Sequence, residues 1–372
     1  MTDTATGALK VAYFVPPSRH FAGIERVTHE IASGLAEAHP RLLDVSVIWA
    51  SGYDEPMLRD TPYRSHVLHV ERLRALGAAL RRCVSAHGFD VLVVPQVEAS
   101  VVAWAATQGL RGTVLVPHLH GNPRIEYAEG TARTRAAFAV FRSVVTRRVP
   151  AVLAVSPSLR DYAARTVARR TRTVFVKNPV RQLGPVDHVP SEDGRFRFVS
   201  VARLSRQKGQ DILLRAIAVA RHRLPPFEVT LVGTGDAQPS LTGLAAELGI
   251  EDVVTFAGYS SDPVQQLRQA DCFVLASRWE GFGVAIVEAL QCGVPVLATD
   301  CEFGPADVLT EPGLGILAAP DDADALAEGL IRATTEFERR EEADARRRAA
   351  AAAYSTSAAV ASHFSVLQAV RP

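Results

Sequence analysis

Two clusters of residues in the second half of this 372-residue chain have the types and spacing to hold an anionic ligand. Residues 277–290 read S-R-W-E-G-F-G-V-A-I-V-E-A-L, with Glu280 and Glu288 on either side of Gly281 and Gly283. Glycines at a strand-to-helix turn admit a ligand to the backbone, and a helix N-terminus offers unpaired N–H groups and a positive dipole. Eight residues of helix rise about 12 Å, which suits carboxylates contacting the two ends of one extended ligand. Glu288 is set among apolar neighbours, so its carboxylate calls for a ligand or a partner. The second cluster, residues 200–216, reads S-V-A-R-L-S-R-Q-K-G-Q-D-I-L-L-R-A. Arg203 ends a strand-like run and Lys208 opens an amphipathic helix. Two fixed cations at a strand's carboxyl end can clamp a diphosphate without a metal. Lysine is scarce here: Lys10, Lys177 and Lys208 are the only three among 41 basic residues.

Short, nearly continuous apolar runs must position these clusters. They fall at 11–15, 45–49, 91–95, 113–117, 152–156 and 173–176, then at 196–201, 228–232, 253–257, 272–276, 295–298 and 315–318. Such runs are expected of parallel strands buried on both faces. Helical patterns separate them, including 26–37, 72–86, 131–147, 157–168, 210–222, 237–248, 263–269 and 284–292. Repeated strand–helix alternation implies doubly wound α/β sheets. The Pro- and Gly-rich stretch PVRQLGPVDHVPSEDG marks a seam. The expected organisation is therefore a Rossmann-like domain over 1–180, a linker over 181–195 and a second Rossmann-like domain over 196–354. A helix over 355–372, apolar at Val360, Phe364 and Leu367, is expected to cross back to the first domain. Open α/β sheets bind ligands beyond the carboxyl ends of their strands, so two such domains facing across a cleft place the site in that cleft.

Composition excludes several classes. A formal net charge of +1 argues against a general nucleic-acid binder. The total conceals a split: residues 1–186 carry 24 Lys+Arg against 14 Asp+Glu, and residues 187–372 carry 17 against 26. The basic half favours an anionic ligand or surface. Within it, residues 131–148 (TARTRAAFAVFRSVVTRR) read either as a membrane-surface or lipid-linked-acceptor site, or as an ordinary surface helix. Cys83, Cys272, Cys292 and Cys301 form no CxxC pair and read as reduced thiols, neither a disulfide framework nor a zinc site. No apolar run reaches the roughly 18–20 residues of a bilayer span, and the first ten residues lack a signal-peptide core. The expectation is a cytoplasmic protein, with peripheral contact at the inner membrane surface left open.

Taken in order, these segments resemble the retaining glycosyltransferases of the family-4 type with the GT-B fold. SVARLSRQKG, LVGTGDAQPSL, the run from VTFAGYSSDP through WEGFGVAIVEAL to VPVLATD, and GPADVL carry the resemblance in the second half. AGIERVTHEIASGLA, VPHLHGNP, AVSPSLRDYA and KNPV agree with it in the first. The resemblance implies that Arg203 and Lys208 contact a nucleotide-sugar's diphosphate. It implies that Glu280, with backbone N–H groups of Gly281, Phe282 and Gly283, holds the transferred sugar, and that Glu288 holds the ribose. Gly258 and Tyr259 would lie by the base, Gly23 would admit the phosphates, and His120 would sit beside the donor sugar. His118 shares the strand face of His120, whereas His20 and His29 read as surface or capping residues. Three departures stand out: Ala22 precedes Gly23 where a double glycine is usual, Asp307 replaces the commoner Glu, and two histidines compete for one role.

The resemblance also implies front-face retention, in which the leaving phosphate takes the acceptor's proton. No DxD-type cluster sits at a suitable strand end, so no metal and no cofactor are expected, and replacing Lys208 or Glu280 by Ala should abolish transfer with the fold intact. The acceptor hydroxyl could belong to a glycan, a lipid-linked sugar or a natural product, and the donor is a UDP-sugar before a GDP-sugar. Two other readings share the architecture: a sugar-nucleotide hydrolase or epimerase, and a non-catalytic nucleotide-sugar-binding subunit.

Overall fold

In the computed structural model, the described residues are 7–18, 21, 23–70, 73–110, 112–184, 186–260 and 262–371. The chain divides into two compact units, Met1–Pro179 with Thr356–Pro372, and Val180–Ser355. In the first, apolar runs flanked by helices form seven parallel strands: β1 (Leu9–Val15), β2 (Leu43–Trp49), β3 (Arg64–Val67), β4 (Val91–Pro95), β5 (Val114–Leu119), β6 (Ala151–Ala154) and β7 (Arg172–Phe175). Their order is β3-β2-β1-β4-β5-β6-β7. Every residue of β4 and β6 is buried, because helices cover both faces. Strand β3 has no apolar run: its RSHV segment is largely exposed at the sheet edge, so nothing in its hydrophobicity announces a strand.

Helix Thr356–Ala369 belongs to this first unit and packs on helix Gly23–Ala38. A Cβ on Gly34 would lie within 2.4 Å of Val360 Cγ2, so only glycine permits so close a crossing. Val360 and Leu367 enter the core, and the Phe364 ring stacks on His39 at 3.7 Å.

The second unit has six parallel strands: β8 (Phe196–Val201), β9 (Phe227–Val232), β10 (Val254–Gly258), β11 (Cys272–Leu275), β12 (Val296–Thr299) and β13 (Gly315–Ala318). They are ordered β10-β9-β8-β11-β12-β13. Both sheets therefore share the order 3-2-1-4-5-6 of dinucleotide-binding folds, in which the winding direction reverses between the first and fourth strands. In the second unit that reversal falls between β8 and β11. The stretch after residue 180 lies along this unit: Leu183 N donates to Gln291 Oε1 at 2.9 Å and Val189 N to the Arg268 carbonyl at 2.9 Å.

Candidate active site

Chain reversal at the β8/β11 switch point turns two loops toward one spot, and these are the loops that carry the expected cations and Glu280. After β8 the chain runs through Arg203 into a short 3-10 turn, Arg206–Lys208, and then into helix Gln210–Ala220. Gly209 joins the two with φ +61°, and a Cβ there would come within 2.0 Å of the Ala276 carbonyl oxygen. Glycine is thus required both by backbone conformation and by the approach of the β11 loop. A Cβ on Gly233 or Gly235, after β9, would likewise come within 2.1 Å of the carbonyl oxygen of Ala202 or Leu204, respectively. The loops are packed backbone to backbone.

This packing delivers Lys208 to Glu280. Lys208 Nζ donates to Glu280 Oε1 at 2.5 Å, and the Ser277 hydroxyl donates to the same oxygen at 2.7 Å. Their side chains are 22% and 7% exposed, so this is a largely buried ion pair. Removing one partner strands a buried charge, so alanine at either position should cost stability in addition to any effect on transfer. Arg203 is exposed, and its carbonyl accepts from Gln210 Nε2 at 3.0 Å. Its guanidinium can meet a ligand without such a penalty.

Sequence reasoning missed the clamp that holds these loops together. Arg278 donates two hydrogen bonds to Asp211, at 2.8 and 2.7 Å, one to Asp321 at 2.6 Å and one to the Arg206 carbonyl at 2.8 Å. Gln207 Nε2 adds a bond to the Trp279 carbonyl at 3.0 Å. A planar donor fork suits such multiple anchoring. No local pattern signals it, because Arg278 and Asp211 are 67 positions apart.

Helix Val284–Gln291 starts from Gly283, whose φ is +85°. Phe282 is buried, and its carbonyl fills the space where a Cβ of Gly304 would stand. Gly304 N in turn donates to Asp307 Oδ2 at 3.2 Å, so this shorter carboxylate closes the first turn of its own helix. Glu288 is half-buried in the second turn of its helix. Gly258 ends β10 with φ +73°, and the neighbouring Tyr259 is exposed.

In the first unit, Gly23 opens helix Gly23–Ala38 with open space where a Cβ would stand, so no packing contact demands a glycine there. His20 and Ala22 lie outside the described residues. His29 is no surface residue: its Nδ1 pairs with the Tyr63 hydroxyl at 2.9 Å in a half-buried setting. His120 follows β5, and its ring lies 3.9 Å from that of His118. Behind them His363, from the C-terminal helix, is fully buried and pairs through Nδ1 with the Tyr13 hydroxyl at 3.0 Å. Burial holds His120 down to about 4 and His363 down to about 3, and keeps His118 well below its ordinary value, so all three imidazoles are neutral. His118 is therefore a core residue that buttresses His120. Glu126 was also missed. A Cβ on Gly121 would fall within 2.3 Å of its Oε1, and burial followed by the nearby Glu98 raises its carboxyl to about 7. The Arg-rich segment lies elsewhere: Arg142, Arg147, Arg169 and Arg170 line a groove of about 660 Å³ beside the amino ends of β6 and β7, away from His120.

Known proteins share this fold. Residues 22–179 match the family described as glycosyl transferase 4-like domain, and residues 187–350 match glycosyl transferases group 1. The lipopolysaccharide 1,6-galactosyltransferase of Escherichia coli K12 is 30% identical over 177 residues, which are 46% of this chain and 48% of that protein. Curated relatives such as this one are matched over less than half their length. Among solved structures, sucrose-phosphate synthase from Thermosynechococcus elongatus superposes with a TM-score of 0.81 at 20% identity, covering 97% of this chain and 98% of that one. The Anabaena protein HepE in complex with UDP-glucose does so with a TM-score of 0.78 at 23% identity, covering 97% of this chain and 100% of its own. With both halves matched by glycosyltransferase families and the whole chain sharing their fold, this chain belongs to the family-4 type of GT-B glycosyltransferases.

Proposed function

We propose that this protein is a retaining, metal-independent glycosyltransferase that moves a hexose-type sugar from a nucleoside-diphosphate sugar to an acceptor hydroxyl. The observation that carries the reading is the convergence of Arg203, Lys208 and Glu280 on one switch point of the second unit. Charge grows on the departing diphosphate as the anomeric bond breaks, and preorganised cations stabilise it where it develops. Lys208 has three N–H donors, one of which is committed to Glu280, so it can hold that carboxylate and meet the diphosphate together. Glu280 accepts from Lys208 and Ser277 through a single oxygen, and its second oxygen is available to a sugar hydroxyl. A neutral His120 fits a hydrogen-bonding role beside the sugar, in either direction.

A UDP-sugar is the favoured donor, supported by the likeness to HepE bound to UDP-glucose, with a GDP-sugar second. The acceptor is a hydroxyl of a glycan, a lipid-linked sugar or a natural product. Its relatives include a lipopolysaccharide galactosyltransferase, which supports a glycoconjugate acceptor. No helix among the described residues is long and apolar enough to cross a membrane. Peripheral contact with an anionic surface is supported by the four-arginine groove. The decisive experiment is a thermal-shift panel of UDP- and GDP-sugars, followed by transfer assays with and without chelator on the wild type and Arg203→Ala. Donor-specific stabilisation with loss of transfer in the exposed-residue variant supports the reading. Donor turnover without any acceptor would instead establish a hydrolase or epimerase. Sedimentation with anionic liposomes, abolished by salt, tests the surface contact.

A further inference from the structure

A third cluster lies apart from every residue used so far. Cys83 and His87 are one turn apart on helix Leu73–His87 and therefore on one face, and His66 of the edge strand β3 meets them. One ligand atom from each of the three lies within 4.8 Å of the others. Cys83 Sγ is 3.9 Å from His87 Nδ1, and the two imidazole rings are 4.2 Å apart. His87 Nδ1 meets the Cys83 carbonyl at 2.9 Å as well as Cys83 Sγ, and His66 Nε2 pairs with the Ser46 hydroxyl at 3.3 Å. Each ring thus keeps one nitrogen for a ligand, and such outer bonds orient the histidines of metal centres. Phe89 packs against both rings and supplies an apolar wall. Cys83 is buried, His66 is half-buried and His87 is exposed, so the cluster opens to solvent on one side.

We propose that His66, Cys83 and His87 form a binding site for a soft divalent transition-metal ion of the zinc type. Bond lengths of about 2.3 Å to sulfur and 2.0–2.1 Å to nitrogen put neighbouring ligands of a tetrahedral ion roughly 3.3–3.6 Å apart. The present spacing, within 4.8 Å, closes to that range as the three side chains draw inward on the ion. Binding forms one metal–sulfur and two metal–nitrogen bonds, and the Cys83 thiol releases its proton to solvent. Water takes the fourth position on the open side. The ion ties the edge strand β3, whose strand partner among the described residues is β2, to helix Leu73–His87. Spacing along the chain conceals the site, because His66 is 17 positions from Cys83 and sits in a strand without an apolar pattern. The inference is independent of glycosyl transfer.

The test is titration of the tag-free, reduced full chain with ZnCl₂ by calorimetry and with CoCl₂ by absorption. The expected result is one ion per chain, and for cobalt a near-ultraviolet thiolate-to-metal band together with tetrahedral d–d bands. Cys83→Ser should remove the charge-transfer band, and His87→Ala should weaken zinc binding at least tenfold. Because His87 is exposed, that variant remains folded and keeps the test decisive even where Cys83→Ser does not fold. A stoichiometry of zero, or binding indifferent to His87→Ala, would overturn the proposal.

Discussion

The Lys208–Glu280 pair makes a quantitative prediction about the second unit. At 2.5 Å and an effective dielectric constant of about 20, the direct attraction is about 7 kcal/mol. Desolvation of two groups this buried offsets much of it, so the pair's net contribution is small. Breaking it is another matter: losing one partner of a buried pair costs about 3–5 kcal/mol. Ser277 remains on the stranded carboxylate, which places Lys208→Met at the lower end, about 3 kcal/mol. For a unit of roughly 150–250 residues this lowers the melting temperature by about 6–12 °C. The double variant Lys208→Met/Glu280→Leu removes both charges and refills the space. It should recover at least about 2 kcal/mol of the summed single losses. Urea unfolding of the four proteins, followed by a probe in the second unit, measures this coupling. A coupling below about 0.5 kcal/mol, the level of solvent-exposed pairs, would refute the claim that the loops bury a paired charge.

Three further outcomes follow from the geometry. His120, His118 and His363 are held below their ordinary value of 6.5, so the unfolded chain binds more protons than the native one between about 6.5 and 4. Stability of the first unit is complete above that window and should fall through it on acidification, by a few kcal/mol for each of His120 and His363 at about 1.4 kcal/mol per pKa unit. Chemical denaturation between pH 4 and 7.5 checks this, and a flat profile contradicts it. Glu126 acts in the opposite sense: raised from 4.5 to about 7, it costs stability progressively as pH rises through that window, so Glu126→Gln should be more stable than the wild type at pH 8 and equal to it at pH 4. Gly209→Ala meets both a positive φ and the Ala276 carbonyl; it should cost more than about 1 kcal/mol and raise KM for the donor by displacing Lys208, whereas the same change at the unhindered Gly243 should do neither.

Much of the site was legible because its chemistry is local. Arg203 and Lys208 stand within six positions and Glu280 and Glu288 within nine, each set following one apolar strand run, and βα loops can be read from such patterns. The glycines were legible for the same reason, although their strongest constraints were not. Gly209 and Gly304 are required by carbonyls of Ala276 and Phe282, which belong to other loops. Strand β3 escaped because an exposed edge needs no hydrophobic signal, and His29 misled because the Tyr63 that pairs with it is 34 positions away.

By itself the sequence determined the two α/β units, the order along the chain of every strand but the edge strand β3, and which loops carry cations, carboxylates and glycines. These depend on periodicity and turn chemistry, which act over a few residues. Only the tertiary structure decided which of those groups meet. It placed Lys208 on Glu280, Arg278 across two loops, His363 behind His118 and His66 beside Cys83, because strand order in a sheet is a property of the folded chain. Hydrogen bonds and ion pairs form between neighbours in space, and burial, which sets the histidine and Glu126 protonation, exists only once the sheets are covered.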